Sequence, residues 1–230
     1  MLRDLDTVSR EIGLTMNTSK TKIMTNANVI PIHIRGEQIE YVTDYIYLGQ
    51  TLSFQNLAEK EMKRRIAQAW KKFWSLKHIL MDKHQRTSLK AGIIETCVIP
   101  VLTYGCQTWS LSHRLKQMIQ VCQRKMERKI THVTLRDRVR CEDLRRSTGM
   151  RDASNLAERL KWKWSGHVAR MDNNRWTHKL TMWDPREGRR NVGRQRTRWA
   201  DQLKRLAGDQ WSRSAKDRVL WKELEKTLTL

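Results

Sequence analysis

The hydrophobic period of this chain changes once, near residue 57, and that change decides what the chain can fold into. Before it, apolar residues alternate in short runs: "VIPIHI", "IEYV" and "YIYLG" read as strands, with a turn at "RGEQ". After it, Met62, Ile66, Ala69, Phe73, Leu76 and Leu80 recur at steps of three and four, the spacing of one helix face. The same spacing returns in Leu89, Ile93 and Cys97, ahead of an interruption at Pro100. It returns again in Leu115, Met118, Cys122, Met126 and Ile130, behind Ser112 as N-cap. A further helix over 154–171 offers Leu156, Leu160, Trp164, Val168 and Met171. Two short ones near the end hold Trp199, Leu203 and Leu206, then Trp221, Leu224 and Leu228. A leading helix over 2–12 sets Leu2, Leu5, Val8 and Ile12 near one face, with Gly13 to end it. The expected fold is mainly α, with one small antiparallel β meander over 28–52.

Charge divides the chain at nearly the same place. The first 60 residues carry 6 Lys and Arg against 7 Asp and Glu, whereas the rest carry 40 against 17, so the entire net charge of +22 comes from the helical part. A surplus of that size repels itself in a compact fold, which points to a polyanionic partner. No apolar run is long enough to span a membrane, and the N-terminus lacks the apolar stretch of a signal peptide. Cys97, Cys106, Cys122 and Cys141 lie far apart within helical patterns, which fits a reducing, intracellular compartment better than a disulfide framework. None of His113, His132, His167, Cys122 or Cys141 has zinc-ligand spacing, so no metal site is expected.

Several short motifs then occur in a telling order. "GLTMNTSKTKIM" sets Gly13, Leu14, Asn17, Lys20 and Thr21 in sequence, and "YIYLGQTL" follows with Tyr47, Leu48 and Gly49 at its centre. Later come "VIPVLTYGCQTW", "LKWKWSGHVARM", "GRQRTRWADQL" and "AKDRVLW". Together, over nearly the whole chain, these resemble the C-terminal part of a non-LTR (LINE-type, RTE-like) retrotransposon endonuclease-reverse transcriptase. The resemblance implies that residues 1–55 are the end of a reverse-transcriptase palm with its primer grip at Tyr47, Leu48 and Gly49. It implies a helical thumb over 56–150 and a basic helical C-terminal domain over 151–230. In such a palm Lys20 would lie near the phosphates of an incoming nucleotide, where an ammonium assists pyrophosphate departure.

The same resemblance marks what this chain does not carry. Polymerase chemistry needs carboxylates holding two divalent metals about 3.5–4 Å apart, and in this family they come from an Asp-Asp pair. This sequence has none: Asp4, Asp6 and Asp44 stand singly. No cofactor is therefore expected in this chain, and the Mg²⁺ belongs to a longer parent.

Two basic clusters are the expected nucleic-acid contacts. "REGRRNVGRQRTRW" holds Arg186, Arg189, Arg190, Arg194, Arg196 and Arg198 between Trp183 and Trp199, which read as core residues. Guanidinium forks on an open loop bind phosphates bidentately. Arg124, Lys125, Arg128 and Lys129 would cover one side of a thumb helix that follows backbone phosphates. The partner expected is template–primer or element RNA, in an intracellular, nuclear setting. A reading of a different class, a stand-alone, non-enzymatic RNA- or DNA-binding protein derived from a retroelement, fits the same residues. Because the paired carboxylates are missing, primer extension by the purified chain with Mg²⁺ or Mn²⁺ is expected to stay at background; template-dependent extension would overturn this assignment of its parts.

Overall fold

The computed structural model describes residues 1–183, 192–193 and 197–228, which divide into two compact units, Met1–Glu61 and Met62–Leu230.

The first unit opens with helix α1 (Leu2–Glu11). Leu14 N–H donates to the Ser9 carbonyl and Gly13 N–H to that of Arg10, closing the helix with Gly13 at φ 77°. The apolar face foreseen for α1 points outward, with Leu5, Val8 and Ile12 more than half exposed. The helix is instead held by its buried carboxylate, Asp6, which takes a forked pair of bonds from Arg35. A charged fork fixes orientation more tightly than a two-residue apolar contact on so small a unit could.

The expected single meander is replaced by three separate pairs of strands. β1 (Lys22–Ile23) runs parallel to β4 (Glu40–Tyr41), while β2 (His33–Ile34) with β3 (Glu37–Gln38), and β5 (Asp44–Tyr47) with β6 (Gln50–Ser53), form antiparallel hairpins. Both hairpins turn on two residues, Arg35-Gly36 and Leu48-Gly49, all four with positive φ, the combination a type I′ turn requires. Alternating residues in a sequence reveal strand character but not pairing, and strands of two to four residues are too short to fix one shared sheet.

The second unit opens along α2 (Leu57–Ser75), which is followed by α3 (Lys77–Leu80). The expected stripe holds here: Met62, Ala69, Phe73 and Leu80 are buried, with Ile66 and Leu76 packed beside them. α4 (Thr87–Ile93) runs into a π-helical turn (Ile94–Val98) and then α5 (Ile99–Thr103). Pro100 does not interrupt the path, because the widened turn ahead of it restarts the helix and leaves proline in a first turn. The buried face is shifted by one residue from the expected one. Leu89 is half exposed, while Lys90, Ala91, Ile94 and Val98 are inside. Lys90 Nζ donates to the Ile130 carbonyl at 3.3 Å, placing a cation at the C-terminal end of the neighbouring helix. A 3₁₀ turn (Cys106–Thr108) leads to that neighbour, α6 (His113–Ile130), capped as foreseen by Ser112, whose hydroxyl accepts from Leu115 N–H.

α7 (Cys141–Thr148) precedes the central helix α8 (Ala153–Ala169). The residues buried on α8 are mostly small or polar, among them Ala153, Ala157, Ser165 and Gly166, and the larger Leu156 and Leu160 are only half covered. Neighbouring elements enclose α8 on several sides, so a single apolar stripe does not describe it. Its first half joins the core built from 62–130. Its second half joins another core with α10 (Asp201–Ala207), α11 (Trp211–Ser214) and α12 (Arg218–Thr227); α9 (Trp176–Met182) buries none of its residues.

What closes the second core is a pair of tryptophans. Trp162 and Trp221 stack with centroids 3.8 Å apart and planes 8° from parallel. Each indole N–H donates to the other residue's carbonyl, at 3.0 and 3.1 Å. Buried indoles need such acceptors. Gly166, one turn beyond Trp162, lies directly beneath Trp221: a Cβ there would fall onto Trp221 Nε1 and 2.6 Å from Cδ1. Arg170 adds a bond to the Ala215 carbonyl at 2.6 Å. Buried Lys161 donates to the Trp109 carbonyl at 3.0 Å and lies 5.1 Å from the Trp199 ring, whose own N–H donates to Gln107. Desolvation lowers the Lys161 amine to about 8. The four C-terminal motifs thus meet at one place, and their shared residues are interlocking core parts.

Gly166→Ala is therefore expected to lower stability by about 1–3 kcal/mol through overpacking. Gly92→Ala, on α4 with open space at its Cβ, is expected to raise it by about 0.4–1 kcal/mol through reduced unfolded-state entropy. Thermal melts of both variants check the contrast.

Candidate nucleic-acid interface

In the first unit, the lysine motif and the tyrosine hairpin come together. Asn17 builds the loop that carries Lys20: its side-chain oxygen accepts from Lys20 N–H at 3.0 Å and from the Ser19 hydroxyl at 2.7 Å. The Thr21 hydroxyl donates back to the Asn17 carbonyl at 2.8 Å. The spacing Asn-x-x-Lys-Thr is thus a local turn device, and it leaves the Lys20 side chain in solvent. Tyr45 then ties loop to hairpin, its hydroxyl donating to the Lys20 carbonyl at 3.4 Å.

The β5–β6 hairpin is anchored on one face. Thr51 N–H and hydroxyl both donate to Glu61, at 2.9 and 2.7 Å, and Lys60 reaches Asp44 and Ser53. Tyr45, Tyr47 and Leu52 alternate onto the other face. At the tip, Tyr47 is 57% exposed and Leu48 76%. Leu48 holds φ 48°, a conformation that Asn or Gly adopts with far less strain. Leu48 thus turns an apolar side chain to water from a strained backbone position.

The carboxylates of this unit do not suit a divalent cation. Asp4 pairs with the terminal amine at 2.6 Å, Asp6 with Arg35, and Asp44 with Lys60 at 2.6 Å. The bond from Arg35 holds Asp6 below the usual carboxylate range, and the bond from Lys60 does the same for Asp44. Asp6 and Asp44 are thus each paired with a side-chain cation. Among the described residues no group of three or more His, Cys, Asp or Glu could hold a metal ion.

In the second unit, the four basic residues expected along one side of α6 have three different environments. Arg124 is buried, bonded to Glu127 at 2.5 Å and to Asp152 at 3.1 Å, which corrects its placement on a solvent-facing surface. Gln123, Arg124 and Glu127 form a second, polar stripe on α6 that faces the start of α8, and an apolar count along the helix does not register it. Asp152 also takes Arg145 at 2.9 Å and caps α8 through Ser154 and Asn155. Glu127 is fully enclosed, and desolvation pushes its carboxyl up despite Arg124. Arg128 donates to the carbonyls of Thr134 and Val139 and so shapes the loop after α6. Lys125 and Lys129 are exposed, and Lys129 Nζ lies 5.8 Å from the ring of Trp74.

Trp74 was not among the residues singled out in the sequence, although "WKKFW" places it one turn from Trp70 on a lysine-rich segment. Of the loop cluster, Arg186, Arg189, Arg190, Arg194 and Arg196 lie outside the described residues. Arg198 is half-buried, its N–H donating to Asp201 at 2.8 Å ahead of α10. Trp199 packs on the core as expected, but Trp183 is 67% exposed. His167 is exposed beside Trp164. No helix among the described residues is long and apolar enough to cross a membrane.

Replacing Leu48 by Asn should relieve the turn and stabilise the first unit by roughly 1 kcal/mol. If the tip serves binding, the same variant should hold nucleic acid less tightly. Hydrogen exchange across 44–53, measured alongside affinity, reads both effects; a gain in stability with unchanged affinity would assign the tip no role in binding.

No family model matches the chain, and no solved structure matches it. Over 240 aligned residues, spanning 96% of this chain and 86% of its relative, it is 32% identical to a transposon-derived protein of Caenorhabditis elegans. The match covers nearly the whole chain, which accordingly belongs to this family of transposon-derived proteins.

Proposed function

We propose that this chain is the nucleic-acid-holding part of a non-LTR retrotransposon reverse transcriptase: primer grip, thumb and basic C-terminal region. The observation that carries the reading is the bond from Tyr45 to the Lys20 carbonyl, which sets the lysine loop beside the exposed Tyr47-Leu48-Gly49 tip. A grip of this kind holds a strand end through backbone groups and a flat side chain, without reading sequence. Lys20 supplies a cation one loop away. Lys125 and Lys129 extend the positive surface along α6, and the arginines of 186–198 add the densest charge in the chain. The transposon-derived relative supports the retroelement origin. Metal-dependent nucleotide transfer belongs to the parent enzyme in this reading, and a nuclear location goes with it.

The test is affinity for a generic RNA–DNA hybrid across a salt series. Each phosphate contact adds roughly 0.7–0.9 to the slope of log K against log salt. Changing Arg189, Arg190, Arg194 and Arg196 together to Gln should flatten that slope by about 3 units, with the helical circular dichroism unchanged. An unchanged slope would remove the arginine segment from the binding surface.

A further inference from the structure

Between the end of α2 and α3 lies an open cleft of about 550 Å³, lined by Trp74, Ser75, Lys77, His78, Met81 and Asp82. Trp74 is 44% exposed, unusual for an indole whose helix neighbours Phe73 and Ala69 are fully buried. Its ring is nevertheless fixed: Trp70 stacks at 6.1 Å and Phe73 meets it edge-on at 5.2 Å. The cleft therefore has a rigid aromatic wall, and the charge around it is cationic. Lys77 and His78 stand exposed on its rim, and Lys129 reaches over the indole from α6, one turn from exposed Lys125. The one carboxylate present, Asp82, is occupied by its own turn, accepting from His84 N–H at 2.9 Å and from Gln85 at 3.4 Å. That bond from the His84 backbone keeps it ionised well below the usual range.

We infer that this cleft is a socket for an unpaired base of single-stranded nucleic acid, stacked on Trp74 with its phosphate at Lys129 and Lys77. Every base has a π face, so a pre-fixed indole accepts any of them, and the adjacent lysines hold the backbone. The Lys129 ammonium, held over the ring only by a weak contact across 5.8 Å, moves aside to the phosphate as the base enters. A paired base is already stacked and cannot enter, so the socket separates single strand from duplex. Trp74, Lys77 and Lys129 belong to α2, α3 and α6, and none of them is part of the arginine segment or of the primer-grip hairpin. The inference rests on the nucleic-acid reading given above and adds a site and a preference to it.

The test uses the full chain and three fluorescent probes of about twelve nucleotides, a length within one single-strand site: oligo(dT), an abasic strand of equal charge, and a blunt duplex. The wild-type chain should bind oligo(dT) at least about fivefold more tightly than the abasic strand. Trp74→Ala should weaken oligo(dT) binding by about five- to a hundredfold and leave abasic and duplex binding unchanged, while Trp74→Phe keeps most of the affinity. Lys129→Gln, on an exposed side chain, should reduce the salt slope by about 0.7 and leave the fold untouched. Equal wild-type affinity for oligo(dT) and the abasic strand would overturn the socket while leaving the nucleic-acid reading intact. Absence of binding to all three probes at low salt would overturn both. Should Trp74→Ala fail to fold, the wild-type comparison of dT with abasic strand and the Lys129→Gln slope still decide the matter.

Discussion

Two indoles, each donating its N–H to the other's backbone carbonyl, are the constraint on which the second core depends. The arrangement satisfies two buried donors and two buried acceptors at once while stacking two large apolar faces. It also sets demands on its surroundings. Gly166 must lack a side chain so that Trp221 can lie down, and Arg170 must reach Ala215 to hold the approach to α12. Lys161, on the same helix, bridges to Trp109 and Trp199 and brings the earlier motifs to the same centre. A buried amine is costly unless it is bonded. Here its cost is offset by a carbonyl, an indole face and the carboxylates of Glu158 and Asp201 nearby.

The parts of this architecture legible in the sequence were those governed by one local rule. The stripe Met62–Ala69–Phe73–Leu80 follows from helical spacing, Ser112 from capping chemistry, and Gly13 from the left-handed turn that ends a helix. Elements governed by several neighbours were not legible. α8 is enclosed by two cores, so its buried residues include small and charged ones, and of the single-face stripe Leu156, Leu160, Trp164 and Val168 only Val168 is fully buried. Arg124 read as one more surface cation because its partners, Glu127 and Asp152, become partners only once α6 meets the start of α8. α1 shows the converse: its apolar face looked decisive, yet one carboxylate–guanidinium fork determines how it lies.

The candidate site shows the same division. Motif order pointed to Lys20 and to Tyr47-Leu48-Gly49, and the geometry supplies reasons for the spacing: Asn17 makes the lysine turn, Gly49 completes a two-residue hairpin, and Tyr45 joins the two. Trp74 carries no signal of its own in the sequence, because nothing in its segment separates a core tryptophan from an exposed one. Only its position at the end of the α2 stripe, with Lys129 arriving from another helix, gives it a distinct environment.

The reciprocal tryptophan bond also sets the order in which the second core can form during synthesis. Trp162 is synthesised 59 residues before the carbonyl that its indole requires. A nascent or prematurely terminated chain that stops short of Trp221 leaves α8 with a buried donor unmet and a flat apolar face uncovered, a species that quality-control proteases recognise and clear. Only a message translated through α12 yields a chain whose second core can shut.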